Sequence, residues 1–306
     1  MNKSQYQIVP HKNPWQWVGI ILSLFVIVTI LHSIFFNEKW GWTVFKHWFF
    51  DRAILDGLFI TLKLTFFAMI LSFILGGVVA MMRLSSSWFI RSLAWGYIWI
   101  FRSLPLLVVL IILYNFSYLY ENISLSIPFT HLSYGEYKTV NVLDQFMTAL
   151  VGLTIVQSAY TAEVIRGGIQ AVDRGQIEAS TALGLSWWHR TTRIILPQAI
   201  RSILPAMINE CINLSKGTAI VYVLAMPELF YTVQMIYNRN QEVIPLLMVA
   251  AVWYTVITSF FSILQYALER KLRQPITASV PHLTMSHLLS FKKSSPIQSA
   301  ILREKV

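Results

Sequence analysis

Four ionisable side chains stand where a charge is expensive. Arg102, Glu163, Glu210 and Lys216 lie in or beside long apolar runs. An ionised group at the middle of a bilayer costs roughly 2.5–3.5 kcal/mol on insertion scales, so such residues face protein, water or a partner charge and mark transport paths. Asn209, Asn213 and Thr218 add hydrogen-bonding groups to the stretch that holds Glu210 and Lys216. Together these residues have the chemistry to line a path for a polar solute. A plainer role stands beside that one. Glu163 is three residues from Arg166 and can pair with it. Arg102 can hold a helix break at Pro105, and the amides and the hydroxyl can bridge helices. Glu210 and Lys216 are six apart and fall on different helical faces, so one can face a path while the other faces a neighbour.

A second stretch has a different chemistry. Residues 178–197 read EASTALGLSWWHRTTRIILP, a polar and basic segment between apolar runs. Ala179 and Ala182 with Leu183 offer small and apolar groups at helical spacing, where the backbone of a partner can come close, and the Glu178 carboxylate can meet donors at the rim. Gly184 is placed to stop that helix, because glycine tolerates positive φ. Ser186 is placed to cap the next helix, which carries Trp187, Trp188 and the basic run His189, Arg190 and Arg193. Pro197 and Pro205 are expected to interrupt it. Without further information, an ordinary amphipathic helix in a loop explains this stretch equally well.

The elements that must position these residues are membrane spans. The 306 residues are 56% apolar and 12% charged, against about 45–50% and 25% in soluble domains. Apolar runs occupy residues 17–36, 57–80, 94–116, 145–165, 202–224 and 244–268. Each is about as long as the twenty helical residues that cross a hydrocarbon core. The fold class expected is therefore an all-α polytopic membrane protein with six transmembrane helices. Residues 17–36 read as a retained helix, since Phe35, Phe36 and Asn37 stand where small residues precede a signal cleavage site. Trp40, Trp42 and Trp48 suit a headgroup layer. Placing the N-terminus inside puts 16 of the 24 Lys and Arg residues in cytoplasmic segments and 5 in external ones. That asymmetry predicts cytoplasmic termini and a cytoplasmic 178–197 loop. Residues 1–16 read as a short polar N-terminus and 274–306 as a cytoplasmic tail, with a surface-lying helix expected over 282–291.

Several chemistries are excluded. No G-x-x-x-x-G-K-[ST] phosphate loop occurs, so the chain is not expected to bind ATP. Neither H-E-x-x-H nor G-x-S-x-G is present, and no His/Cys ligand cluster stands out. The net charge of +10 reflects loop lysines and arginines rather than a nucleic-acid surface, and the tryptophans sit at expected bilayer edges. Cys211 is the only cysteine. It excludes an internal disulfide, and its simplest role is that of a small buried apolar residue.

The spacing Glu178-Ala179-Ser180, three residues, Gly184, nine residues, Ile194, one residue, Leu196-Pro197 resembles the EAA loop of membrane subunits of binding-protein-dependent ABC importers. Ser180 is its single departure. Gly57-Leu58-Phe59-Ile60-Thr61-Leu62, Phe101 to Leu107, Ala159 to Gly168, and Leu204-Pro205-Ala206 followed by Asn209-Glu210 and Leu214-Ser215-Lys216 resemble the polar amino-acid permease branch. Lys216-Gly217-Thr218-Ala219 departs from that branch, in which an acidic or amide residue and Thr-Ser commonly follow the lysine. The resemblance implies a five-helix type I importer core over residues 57–273, with residues 17–36 as an extra span. It implies that 178–184 docks on a separate ATPase subunit, which would bind the ATP and Mg2+. A second permease subunit, the same or a paralogue, and an extracytoplasmic amino-acid-binding protein complete the implied assembly. The function implied is ATP-driven import of a polar amino acid across the cell inner membrane by alternating access. An ion-coupled secondary carrier, with Glu210 as its ion site, and a non-transporting scaffold or receptor are the alternatives.

Overall fold

The structure, a computed structural model, describes residues 14–126 and 133–272. The helix expected over 282–291 and most of the polar N-terminus lie outside these residues. By its internal contacts the chain divides into residues 1–267, which carry everything below, and 268–306, whose described part is the end of the last helix.

The helices are α1 (Pro14–Phe36), α2 (Trp42–Phe49), α3 (Arg52–Arg83), α4 (Trp88–Ser103), α5 (Leu106–Tyr114), α6 (Phe116–Leu119), α7 (Thr139–Val142), α8 (Gln145–Gln170), α9 (Arg174–Ala182), α10 (Trp187–Arg190), α11 (Leu196–Gly217), α12 (Leu229–Asn240) and α13 (Val243–Leu272). A π turn, Thr191–Ile195, leads into α11, and a 3-10 segment, Thr218–Leu224, continues it. The chain is all-α in class, as expected, with one small addition. Strands β1 (Asn122–Ser126) and β2 (Ser133–Lys138) form a small antiparallel pair between α6 and α7. Asn122 donates to Glu136 across it at 2.9 Å.

Four helices are long and apolar enough to cross a membrane alone: residues 17–36, α3, α8 and α13. Two further helix pairs are long and apolar enough together but bent, which makes six spans if each pair is one. The expected span 94–116 is cut into α4 and α5, which meet at 99°. Proline causes the cut. Pro105 has no N–H to continue the ladder and forces Leu104 out of the helical region, to φ −82° and ψ 134°. The other pair bends by 49° between the segment ending at Leu224 and α12. Pro205, by contrast, stays inside α11, while Pro197 takes the first turn, where its missing N–H costs nothing.

Three apolar clusters follow one another along α3. Ile54 and Leu58 pack with Leu229, Val233 and Leu246. Leu64 and Ala68 pack with Leu110, Leu150, Leu153, Leu214 and Met226. Val79 and Ala80 pack with Ile165, Val172 and Ile203, and Ile177 of α9 lies against them. The contacts of α3 with α8 advance in the same direction on both helices, from Lys63 with Phe146 to Ser72 with Thr154 and Gly76 with Ser158 and Thr161. The two helices are therefore parallel, and they approach closely. A Cβ on Gly76 would stand 2.8 Å from the Ser158 carbonyl oxygen and from Thr161, so the position requires glycine.

α1 differs from the rest. None of its apolar window is buried. It is tied at its end, where Trp42 Nε1 donates to the Ile34 carbonyl at 3.1 Å and the Trp42 ring stacks on Phe35.

Candidate functional site

α9 begins on a capping arrangement. Asp173 accepts from the Gln176 N–H at 3.2 Å through its side chain. The helix ends in a two-bond lock. Gly184 N–H donates to the Thr181 carbonyl at 2.9 Å and Leu185 N–H to the Ser180 carbonyl at 3.1 Å, the pattern that a left-handed residue past the helix end makes possible. Gly184 supplies it with φ +70°. The chain then turns, Ser186 caps α10 by accepting from His189 N–H, and Arg190 reaches back to Thr181 Oγ1 at 2.8 Å. These bonds hold α9 and α10 as one knuckle, anchored by Ile177 among the apolar residues at the Val79 end of α3.

Among the described residues nothing covers the outer surface of the knuckle. Glu178, Ala179, Ala182 and Gly184 are exposed, and so are Leu183 at 79%, Trp187 and Trp188. A Cβ on Gly184 would touch nothing. Ser180 is a correction to the expected surface set. It is 2% exposed and its hydroxyl donates to the Ile177 carbonyl at 2.7 Å. It faces its own chain because it sits on the Ile177 side of α9.

The charged residues of the spans divide. Arg102, Glu210 and Asn213 line one cavity of about 560 Å3, with Gln157, Tyr160 and the break at Leu104–Pro105–Leu106. Glu210 Oε2 accepts from Gln157 Nε2 at 2.8 Å, and the Arg102 guanidinium lies 5.2 Å from the Tyr160 ring centroid. The cavity wall on α11 is Glu210, Asn213, Leu214 and Gly217, and on α8 it is Leu153, Val156, Gln157 and Tyr160. Each set has the i, i+3, i+4, i+7 spacing of one helical face. Asn209 and Lys216 are one residue off that face. They do not line the cavity and are exposed elsewhere. Thr218 is buried, and its hydroxyl donates to the Ser215 carbonyl at 2.8 Å. Glu163 accepts from Arg166 at 2.6 Å. That pair lines a separate recess of about 330 Å3 with Arg83 and the far side of Arg102.

Two features were not singled out from the sequence. Gln157 and Tyr160 had a legible signal in their spacing on α8. The other is Glu228, which is fully buried. Its Oε2 accepts from the Tyr254 hydroxyl at 3.0 Å and the Thr61 hydroxyl at 3.2 Å, and its Oε1 from Tyr231 N–H at 2.7 Å. Thr61 in turn accepts from Leu229 N–H. The carboxylate caps α12 and joins it to α3 and α13. A short Pro-Glu pair between apolar runs gave no sign of partners 167 residues away.

The family model for the binding-protein-dependent transport system inner membrane component matches residues 68–274. The chain belongs to that family. It is thus a membrane component with membrane-spanning helices, and residues 68–274 hold both the exposed knuckle and the central cavity. An arginine transport system permease protein, ArgU of Corynebacterium glutamicum, is 34% identical over 96% of this chain and 92% of its own length. Coverage that wide takes in α1. The glutamate/aspartate import permease GltK of Escherichia coli is also 34% identical, over 71% of this chain and 92% of its own. A solved chain from an amino acid ABC transporter is 36% identical with a TM-score of 0.61, covering 72% of this chain and 94% of that one. A chain of the MetNI methionine ABC transporter, 17% identical with a TM-score of 0.60, shares the fold.

Proposed function

We propose that this chain is the permease subunit of an ATP-driven importer that carries a polar amino acid through the cavity between α4–α5, α8 and α11. The observation that carries this reading is the pairing of opposite charges across one cavity. Arg102 and the N-terminal end of α5 offer a cation and a positive helix end to a carboxylate. Glu210, held by Gln157, offers a carboxylate to an ammonium, and Asn213 adds a neutral hydrogen-bonding group. A free amino acid carries both charges. A site at a broken helix is also where a transporter can expose polar backbone inside a membrane. The relatives that handle arginine and glutamate or aspartate support the substrate class.

Family membership makes the chain part of a binding-protein-dependent system. The finer assembly is our reading: a second permease subunit, two ATPase subunits that themselves bind ATP and Mg2+ and dock one on the α9–α10 knuckle of each permease subunit, and a solute receptor on the opposite face. The basic-residue asymmetry supports termini and knuckle on the cytoplasmic side. Closure of the ATPase pair would move the knuckle, and Ile177 would pass that motion to α3, α8 and α11 through the apolar cluster it joins. The coupling requires the knuckle to bind the ATPases differently in the two states.

The test is uptake of labelled L-arginine, L-glutamate and L-glutamine into proteoliposomes that hold the complex, with ATP inside and the receptor outside. Uptake of at least one of them, dependent on both ATP and receptor, is expected. Uptake without ATP, driven by an ion gradient, would replace the importer with a secondary carrier. Uptake of none would remove the amino-acid assignment.

A further inference from the structure

A second cavity, of about 720 Å3, opens between α3, the start of α8 and the break before α12. Its volume lies within the range of small-ligand sites, about 300–1,000 Å3. Lys63 and Asp144 both line it, with Asn115, Gln145 and Phe146. Lys63 lies in the membrane-spanning part of α3, and no carboxylate of a described residue pairs with it. Its ammonium is held 4.8 Å from the Phe146 ring centroid, a contact that orients the cation and leaves its N–H donors available. Asp144 accepts from Met147 N–H through Oδ1 at 2.7 Å as the cap of α8, so Oδ2 remains. Asn115 donates to the Ile111 carbonyl through Nδ2, which leaves its amide oxygen as an acceptor. A cation without an ion-pair partner among the described residues, a carboxylate oxygen and an amide oxygen thus share one cavity.

The position of this cavity relative to the central one is informative. Gln145 lines the Lys63–Asp144 cavity and Leu153 the central one, a little over two turns of α8 apart, about 12 Å. Between them lies the apolar cluster of Leu64, Leu110, Leu150, Leu153, Leu214 and Met226. Met226 also borders the Lys63–Asp144 cavity, and Leu153 and Leu214 border the central one. The knuckle packs at the opposite end of α3. Two cavities with the same paired charges are therefore separated by one apolar plug, and the second lies on the side away from the ATPase contact.

We propose that the Lys63–Asp144 cavity is a second amino-acid site, which receives the solute from the receptor before the plug opens to the central cavity. The proposal rests on the amino-acid reading above. Lys63 would take the α-carboxylate, and Asp144 Oδ2 with the Asn115 amide oxygen would take the α-ammonium. Opening would require Leu153, Leu214 and Met226 to separate, and Met226 sits at the break in the second bent pair, where the chain can hinge.

The experiment uses the complete complex in proteoliposomes, with whichever of L-arginine, L-glutamate and L-glutamine the wild type takes up. Lys63→Gln removes the charge. Asp144→Asn removes the charge and keeps a residue that caps helices well. Each is expected to raise the concentration of loaded receptor for half-maximal uptake about tenfold, the loss of one charge-assisted hydrogen bond, with the maximal rate retained. Lys63→Arg should restore it. Equilibrium binding of the labelled amino acid without ATP should show two classes of site, of which Lys63→Gln weakens one about tenfold and Glu210→Gln the other. A single class, weakened in Glu210→Gln and unchanged in Lys63→Gln and Asp144→Asn, would overturn the second site and leave the central one standing. A lowered melting temperature in Lys63→Gln with wild-type half-saturation would make Lys63 structural and also overturn it. If the wild-type complex takes up no amino acid, both readings fall together.

Discussion

Glu210 and Lys216 show how one residue of offset separates a site from a surface. Both are charged and both lie on α11, yet only Glu210 shares a face with Asn213 and Gly217. Glu210→Gln is expected to raise the half-saturating substrate concentration about tenfold. Lys216→Gln should leave it unchanged, and kinetics of uptake in proteoliposomes check both. A wild-type value for Glu210→Gln would remove that carboxylate from the path. Glu228 is held for a different reason. Glu228→Ala would strand the hydroxyls of Thr61 and Tyr254 and the N–H of Tyr231 in a dry interior. We expect a loss of roughly 2–4 kcal/mol of stability, read as a lower melting temperature of the purified protein. Glu228→Gln keeps the volume and two acceptor lone pairs, so its loss should be smaller.

At the scale of elements, the α9–α10 knuckle is the part most plainly written in the sequence. Its glycine stop, its serine cap and its exposed tryptophans all follow from local rules, because each bond spans a few residues. Gly184→Asp forces a side chain into the left-handed region, with open space around it inside this chain. The protein should still insert. In proteoliposomes, receptor-stimulated ATP hydrolysis should no longer produce uptake. Normal uptake would mean that the knuckle does not carry the coupling. The spans were legible for a similar reason, since length and hydropathy decide them. The break at Pro105 was visible as a proline, but not its 99° bend, which depends on what α4 and α5 pack against. The burial of Ser180 and the Glu228 network were not legible at all. Helix phase against a neighbour sets the first, and contacts far apart in sequence set the second. Of the seven path candidates, the three that share the cavity are those that the α8 face and the Pro105 break bring together, and a single sequence does not place α8 beside α11.

At the scale of the whole molecule, three apolar clusters are stacked along α3; the middle one separates the two charged cavities, and the one at the Val79 end holds the knuckle. α1 stands apart from that stack. It lies within the alignment to the Corynebacterium glutamicum arginine permease, while the Escherichia coli relative matches 92% of its own length using only 71% of this chain. The central claim is that a separate ATPase grips the exposed knuckle and drives the central cavity. Its most direct measurement replaces the single cysteine by Cys211→Ala, introduces Ala182→Cys, and crosslinks native membranes with and without ATP. The account predicts capture of a nucleotide-binding subunit, in a yield that changes with ATP. Membranes that still take up the amino acid, but give no crosslink from this position to any ATPase subunit in either state, would contradict it.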